Sequence, residues 1–88
     1  MKLIATAVLA AATLVALPSV AMAASCYDLW YARNAIYADN GYCFSTDLGM
    51  ETFDNDDCYT TNPHLSKQER KQVAAIQHEE KLKHCHVN

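Results

Sequence analysis

Leu29-Trp30-Tyr31-Ala32-Arg33-Asn34-Ala35-Ile36-Tyr37-Ala38-Asp39-Asn40-Gly41-Tyr42-Cys43-Phe44 decides the fold. It reads as an amphipathic helix, a glycine stop and an aromatic segment leaving that stop. Leu29, Trp30, Ile36 and Tyr37 recur at helical spacing, with Ala32 and Ala35 filling between them. Asp28 and Asp39 point the other way. Ser25 stands ahead of the stretch as an N-cap. Asp28, three residues on, suits both a capping box and the positive end of the helix dipole. Gly41 suits a left-handed C-cap, because it alone meets no Cβ penalty there. The pattern predicts a helix from Cys26 to about Ala38.

Downstream, the helical period is lost between Gly41 and Pro63. Aromatic residues there stand among Asp, Asn, Thr and Gly, which reads as a loop with short extended pieces or a helical turn around Asp47–Phe53. So long an irregular connection in a small domain needs something to fix it, and Cys43 and Cys58 bracket most of it. A second helix is predicted from Lys67 to about Lys83. Ser66 and Glu69 form a full S-x-x-E capping box, and Pro63 ends the loop without entering the helix. Val73, Ala74 and Ile76 give this helix a thin apolar stripe. All eight aromatic residues fall between Tyr27 and Tyr59, so the first helix and the loop carry most of the core bulk.

Upstream, residues 1–23 read as a signal peptide. Met1-Lys2 is a positive start, Leu3–Leu17 is an unbroken apolar and Thr run, and Ala21-Met22-Ala23 has the small-x-small pattern of a cleavage site. A transmembrane anchor is the weaker alternative, since a span needs about 20 apolar residues and Pro18 stops this run short. Cleavage after Ala23 would leave a domain of residues 24–88, with no membrane span. A lipoprotein reading of Ala23-Ala24-Ser25-Cys26 is disfavoured, because Ala23 stands where Leu is usual and lipidation would strand one cysteine.

The chain has 88 residues and a net charge of −3; without Lys2, 6 basic side chains would face 10 acidic ones. That balance argues against nucleic acid and against a polybasic membrane-surface role. A domain this small is marginal on its core alone and needs staples. Cys26, Cys43, Cys58 and Cys85 are an even set after an export signal, which reads as a disulfide framework. Three pairings are formally open. Two helices joined by a loop pack antiparallel, which favours Cys26–Cys85 with Cys43–Cys58. The expected fold class is mainly α: a small disulfide-stapled two-helix domain with a long irregular loop between the helices.

The candidate chemistries thin out on inspection. His84-Cys85-His86 invites zinc, but structural zinc sites use close pairs such as C-x2-C, and none exists here. His78-Glu79-Glu80-Lys81-Leu82 begins like the H-E-x-x-H of zinc proteases, with Leu82 where the second histidine must stand. Asp54-Asn55-Asp56-Asp57 starts like a calcium loop, yet Tyr59 replaces the glycine and Leu65 the final glutamate. No metal and no cofactor is expected. Thiols held in disulfides cannot act as nucleophiles, and no spacing singles out a Ser or Thr with a base. No enzyme is expected. Arg33-Asn34, mid-helix among apolar residues, could recognise an anionic or sugar ligand. The favoured reading is structural: Arg33 bridging to Glu69, Glu79 or Glu80, and Asn34 tying down loop backbone.

Ala32-Arg33-Asn34-x-Ile36-Tyr37-Ala38-x-x-Gly41-Tyr42-x-Phe44 resembles the YARHG domain, a small module of exported bacterial proteins. The five eponymous positions fall on Tyr37-Ala38-Asp39-Asn40-Gly41, with Asp39-Asn40 in place of Arg-His. Any role of that basic pair is therefore not carried over. Thr52-Phe53, Asn62-Pro63, Cys58-Tyr59 and Leu65-Ser66-x-x-Glu69 with Val73, Ile76 and Glu79 follow the family more loosely. The resemblance runs from about Leu29 to Glu80. It implies an extracytoplasmic helical module without an established activity.

The function expected is that of a periplasmic or secreted interaction module, partnered by a protein or a cell-envelope component. Tyr42, Phe53 and Tyr59, in the aromatic loop, are the candidate contacts, because exposed aromatic side chains anchor interfaces. They would equally suit a core. The alternative function is a small envelope enzyme or an enzyme inhibitor.

Overall fold

The structure, a computed structural model, describes residues 24–87; the predicted signal peptide, residues 1–23, lies outside the described residues. Three helices follow in order: α1 (Cys26–Asp39), α2 (Asp47–Phe53) and α3 (Lys67–Leu82). No strand forms among the described residues, and no helix there is long and apolar enough to cross a membrane.

Both long helices start on reciprocal capping boxes. Ser25 Oγ accepts from the Asp28 N–H at 3.0 Å while the Asp28 carboxylate accepts from the Ser25 N–H at 3.2 Å. Ser66 and Glu69 repeat the arrangement at 3.1 and 2.8 Å. Each box satisfies two orphan donors of the first turn. Gly41 ends α1 at φ +82°, the left-handed conformation that follows a helix stop.

The two long helices run antiparallel, as three links show. Cys26, the first residue of α1, is bonded to Cys85, just past the end of α3. Arg33 meets Glu80 further along. Asn40, just after α1, donates to Glu69 in the first turn of α3 at 3.0 Å. Among the described residues, Leu29 and Trp30 of α1, Phe44 of the loop and Val73 of α3 are the buried apolar side chains. Val73 is the point where the thin stripe of α3 meets that core.

The long connection is more ordered than a two-helix reading allows: α2 is a third helix inside it. Thr46 caps it by accepting from the Gly49 N–H at 3.1 Å, and Asp47 adds negative charge to its first turn. Gly49 is buried mid-helix because Phe44 lies against its backbone; a Cβ there would stand 2.8 Å from the Phe44 ring. Asp54 closes α2 in the left-handed region at φ 62°. Seven residues are too few to show a period, so the helix is set by packing rather than by pattern.

Aromatic side chains carry the core from one element to the next. Trp30 of α1 lies 5.9 Å from Phe53 of α2, measured between ring centroids. Phe53 stacks on Phe44 at 5.0 Å, Phe44 meets Tyr42 edge-on at 4.8 Å, and Tyr42 reaches back to Tyr37 on α1 at 5.8 Å. Such pairs add roughly 0.5–1.5 kcal/mol each beyond the burial of apolar area. The ladder thus stitches α1, α2 and the strand-like residues after Gly41 into one body.

Candidate functional site

The segment that enters and leaves α2 is held at several points. Asn55 bridges it from within, accepting from the Phe44 N–H at 3.0 Å and donating to the Phe44 carbonyl at 2.8 Å. Tyr42 and Thr60 form an isolated parallel bridge. The Cys43 N–H donates to the Thr60 carbonyl at 2.8 Å, and the Tyr59 N–H donates to the Gly41 carbonyl at 2.8 Å. The Cys43–Cys58 disulfide closes the same segment across 15 residues.

On this frame the three candidate contact residues separate. Phe53 is half-buried, between Trp30, Tyr31 and Phe44. Tyr42 is half-buried as well and lines a surface cleft with Tyr37. Tyr59 is 77% exposed, yet its ring lies against the backbone of Gly41, where a Cβ would run into it. Tyr27 and Tyr31 add exposed rings on α1, beside Trp30 and Phe53. Sequence reasoning gave no role to this pair, because both occupy ordinary helical positions.

Arg33 grips Glu80 bidentately, Nε to Oε1 at 2.9 Å and Nη2 to Oε2 at 3.0 Å. This is the only ion pair among the described residues. Asn34 is buried, but it does not tie down the loop: its Nδ2 donates to the Trp30 carbonyl one turn earlier, at 2.9 Å. The loop-tying amide is Asn55 instead. Glu69 is half-buried in the first turn of α3. The Ser66 backbone N–H, and after it the Asn40 side chain, hold its pKa below the ordinary value of 4.5.

His84 and His86 flank Cys85, whose sulfur is engaged with Cys26. Among the described residues no three His, Cys, Asp or Glu side chains are grouped to share a metal ion.

The turn from Tyr37 to Gly41 is the hub of this frame. It supplies the α1 stop, the Asn40–Glu69 link to α3 and the seat of the Tyr59 ring. A family model described as the YARHG domain matches residues 4–81. The chain belongs to the YARHG domain family. No curated protein and no solved structure matches it. Within this YARHG domain, Asp39 and Asn40 occupy the eponymous Arg-His positions. Asn40 turns its place to a structural use: its amide donates both to the Ile36 carbonyl at 2.8 Å and to Glu69. The YARHG match also begins well upstream of Leu29, where the visible motif starts, and ends one residue past Glu80.

Proposed function

We propose that this YARHG domain is an exported, non-catalytic interaction module that works outside the cytoplasm on a cell-envelope component or an envelope protein. Export is supported by the leader-like first 23 residues and by two disulfides, which persist in oxidising compartments.

The observation that carries the binding reading is Tyr59. It is the most exposed of the large hydrophobic side chains among the described residues, at 77%, and it is also pinned. Its own N–H and that of Thr60 both donate to the Gly41 carbonyl, its ring rests on Gly41, and its neighbour Cys58 is in a disulfide. An exposed aromatic ring that is already ordered loses little entropy on contact, which is what an interface anchor needs. A non-catalytic role is supported by the engagement of all four thiols in disulfides.

Co-sedimentation with purified peptidoglycan sacculi tests the proposal. The oxidised protein should pellet with the sacculi and release no soluble fragments. Tyr59→Ala should weaken that retention with only a small loss of Tm, that of its packing on Gly41. Released fragments would point to hydrolysis. A lowered Tm with unchanged retention would assign Tyr59 to the fold alone.

A further inference from the structure

One cleft on the surface differs from its neighbours in chemistry. Tyr37, Tyr42, Thr61, Asn62, Pro63 and Leu65 line a concavity of about 380 Å³. None of these six side chains is charged. Four other clefts each carry charge: Asp54, Asp56 and Asp57 in one, Arg33 with Glu80 and Lys81 in another, Arg33 again in a third, and Lys81 in the last. In a chain with 10 acidic and 7 basic side chains, an uncharged lining selects against charged ligands, which would lose hydration without gaining a partner.

We infer that this cleft is a binding site for an uncharged sugar unit of an oligosaccharide. The inference rests on the envelope-binding reading and gives it a ligand class. A pyranose ring offers an apolar C–H face and a rim of hydroxyls. The Tyr37 and Tyr42 rings, 5.8 Å apart and inclined at 55°, form an open aromatic corner for the first. The Asn62 amide, the Thr61 hydroxyl and the tyrosine hydroxyls supply donors and acceptors for the second. The Asn62 side chain makes no hydrogen bond among the described residues, so its amide is free to serve a ligand. The volume falls in the range of roughly 300–1,000 Å³ usual for small-molecule sites.

The walls are also fixed before any ligand arrives. Tyr37 stands near the end of α1, and the Tyr42 N–H donates to its carbonyl at 3.2 Å. Tyr42 is bridged to Thr60, and Thr60 Oγ1 accepts from the Asn62 N–H at 2.9 Å. Pro63 has a fixed φ of its own and restricts the backbone of the preceding Asn62. The two sides of the cleft come from distant parts of the chain, and the Tyr42–Thr60 bridge holds them in register. Such preorganisation reduces the ordering cost of binding.

The test is a titration of the oxidised protein with N-acetylglucosamine tetramer, followed by backbone amide shifts in NMR spectra. Shifts confined to residues around Tyr42, Thr61 and Asn62 are expected. Asn62→Ala, at an exposed position, should weaken binding roughly 2- to 10-fold, the effect of one neutral hydrogen bond. Tyr42→Ala should abolish binding. Tyr37→Phe, which keeps the ring, should weaken it by a factor of similar size to Asn62→Ala. Asp57→Asn, in the neighbouring acidic cleft, should leave it unchanged. No shifts with the tetramer, or shifts that survive both Asn62→Ala and Tyr37→Phe undiminished, would overturn the assignment. So would a proline-rich peptide that fills the cleft in place of the sugar. Retention on sacculi without tetramer binding would remove the cleft and leave the module reading standing. Tetramer binding without retention would support the cleft and count against the module reading.

Discussion

Arg33 and Glu80 lie 47 positions apart and meet through two parallel hydrogen bonds, 2.9 and 3.0 Å long, between the middle of α1 and the last turn of α3. Their side chains are only 21% and 15% exposed, so water screens the pair incompletely. Removing one partner leaves a half-buried charge alone. Glu80→Ala should cost about 2 kcal/mol, between the values for exposed and fully buried pairs, or roughly 10 °C in Tm. Arg33→Met combined with Glu80→Leu should recover most of that loss, because the penalty lies in the orphaned charge. Thermal unfolding followed by circular dichroism checks both.

Glu69 links pH to stability through the cap of α3. Its folded pKa is depressed below 4.5, first by the Ser66 backbone N–H and then by the Asn40 side chain. A depressed carboxyl contributes stability above its unfolded pKa and loses it as the pH falls through the folded value. Tm should therefore decline on acidification below about pH 4.5 through this group. Glu69→Gln keeps a side chain that can reach back to the cap, but it removes the charge. That variant should show a lower Tm at neutral pH and a flatter acid limb. An acid limb as steep as that of the unaltered protein would remove Glu69 from the account.

Gly41 meets two separate demands, and they can be measured apart. Its φ of +82° disfavours any side chain, and the Tyr59 ring fills the space a Cβ would take. Gly41→Ala should cost about 1–2 kcal/mol from backbone strain, plus the displacement of Tyr59. In a Tyr59→Ala background the second part vanishes. The substitution should then be less damaging, though still destabilising.

Reduction should unfold the domain. The chain-entropy estimate is roughly 3 kcal/mol for the Cys43–Cys58 loop and roughly 4 kcal/mol for Cys26–Cys85. Together they are comparable with the whole stability of a small domain. Helical circular dichroism should be lost in excess reductant, and retention of the full signal would contradict this.

The two long helices were legible because their instructions are local. Ser25 with Asp28 and Ser66 with Glu69 announce the starts and Gly41 the stop, whereas the apolar face expected of α1 holds only in part: Leu29 and Trp30 are buried, Ile36 and Tyr37 half-buried, and polar Asn34 is buried with the core. The pairing of Cys26 with Cys85 follows from the antiparallel direction of those helices. Arg33 could be narrowed to three acids, and the register of α1 on α3 selects Glu80. What stayed hidden is set by contacts across the chain. The helical turn expected around Asp47–Phe53 is present as α2, but the Phe44 ring lying against the buried Gly49 inside it was not legible. Asn55, not Asn34, ties the loop, because only the folded path brings it to both polar groups of Phe44. The uncharged cleft was equally invisible, since Tyr37 and Asn62 share it only through the Tyr42–Thr60 bridge.

The intact mass of the protein recovered from the export compartment, taken before and after reduction, tests the central claim that this is an exported, doubly stapled module. The expected species is a polypeptide beginning at Ala24 and four hydrogens lighter than its reduced form, as two disulfides require. A chain that keeps residues 1–23, a lipid-sized excess on Cys26, or no change of mass on reduction would contradict it.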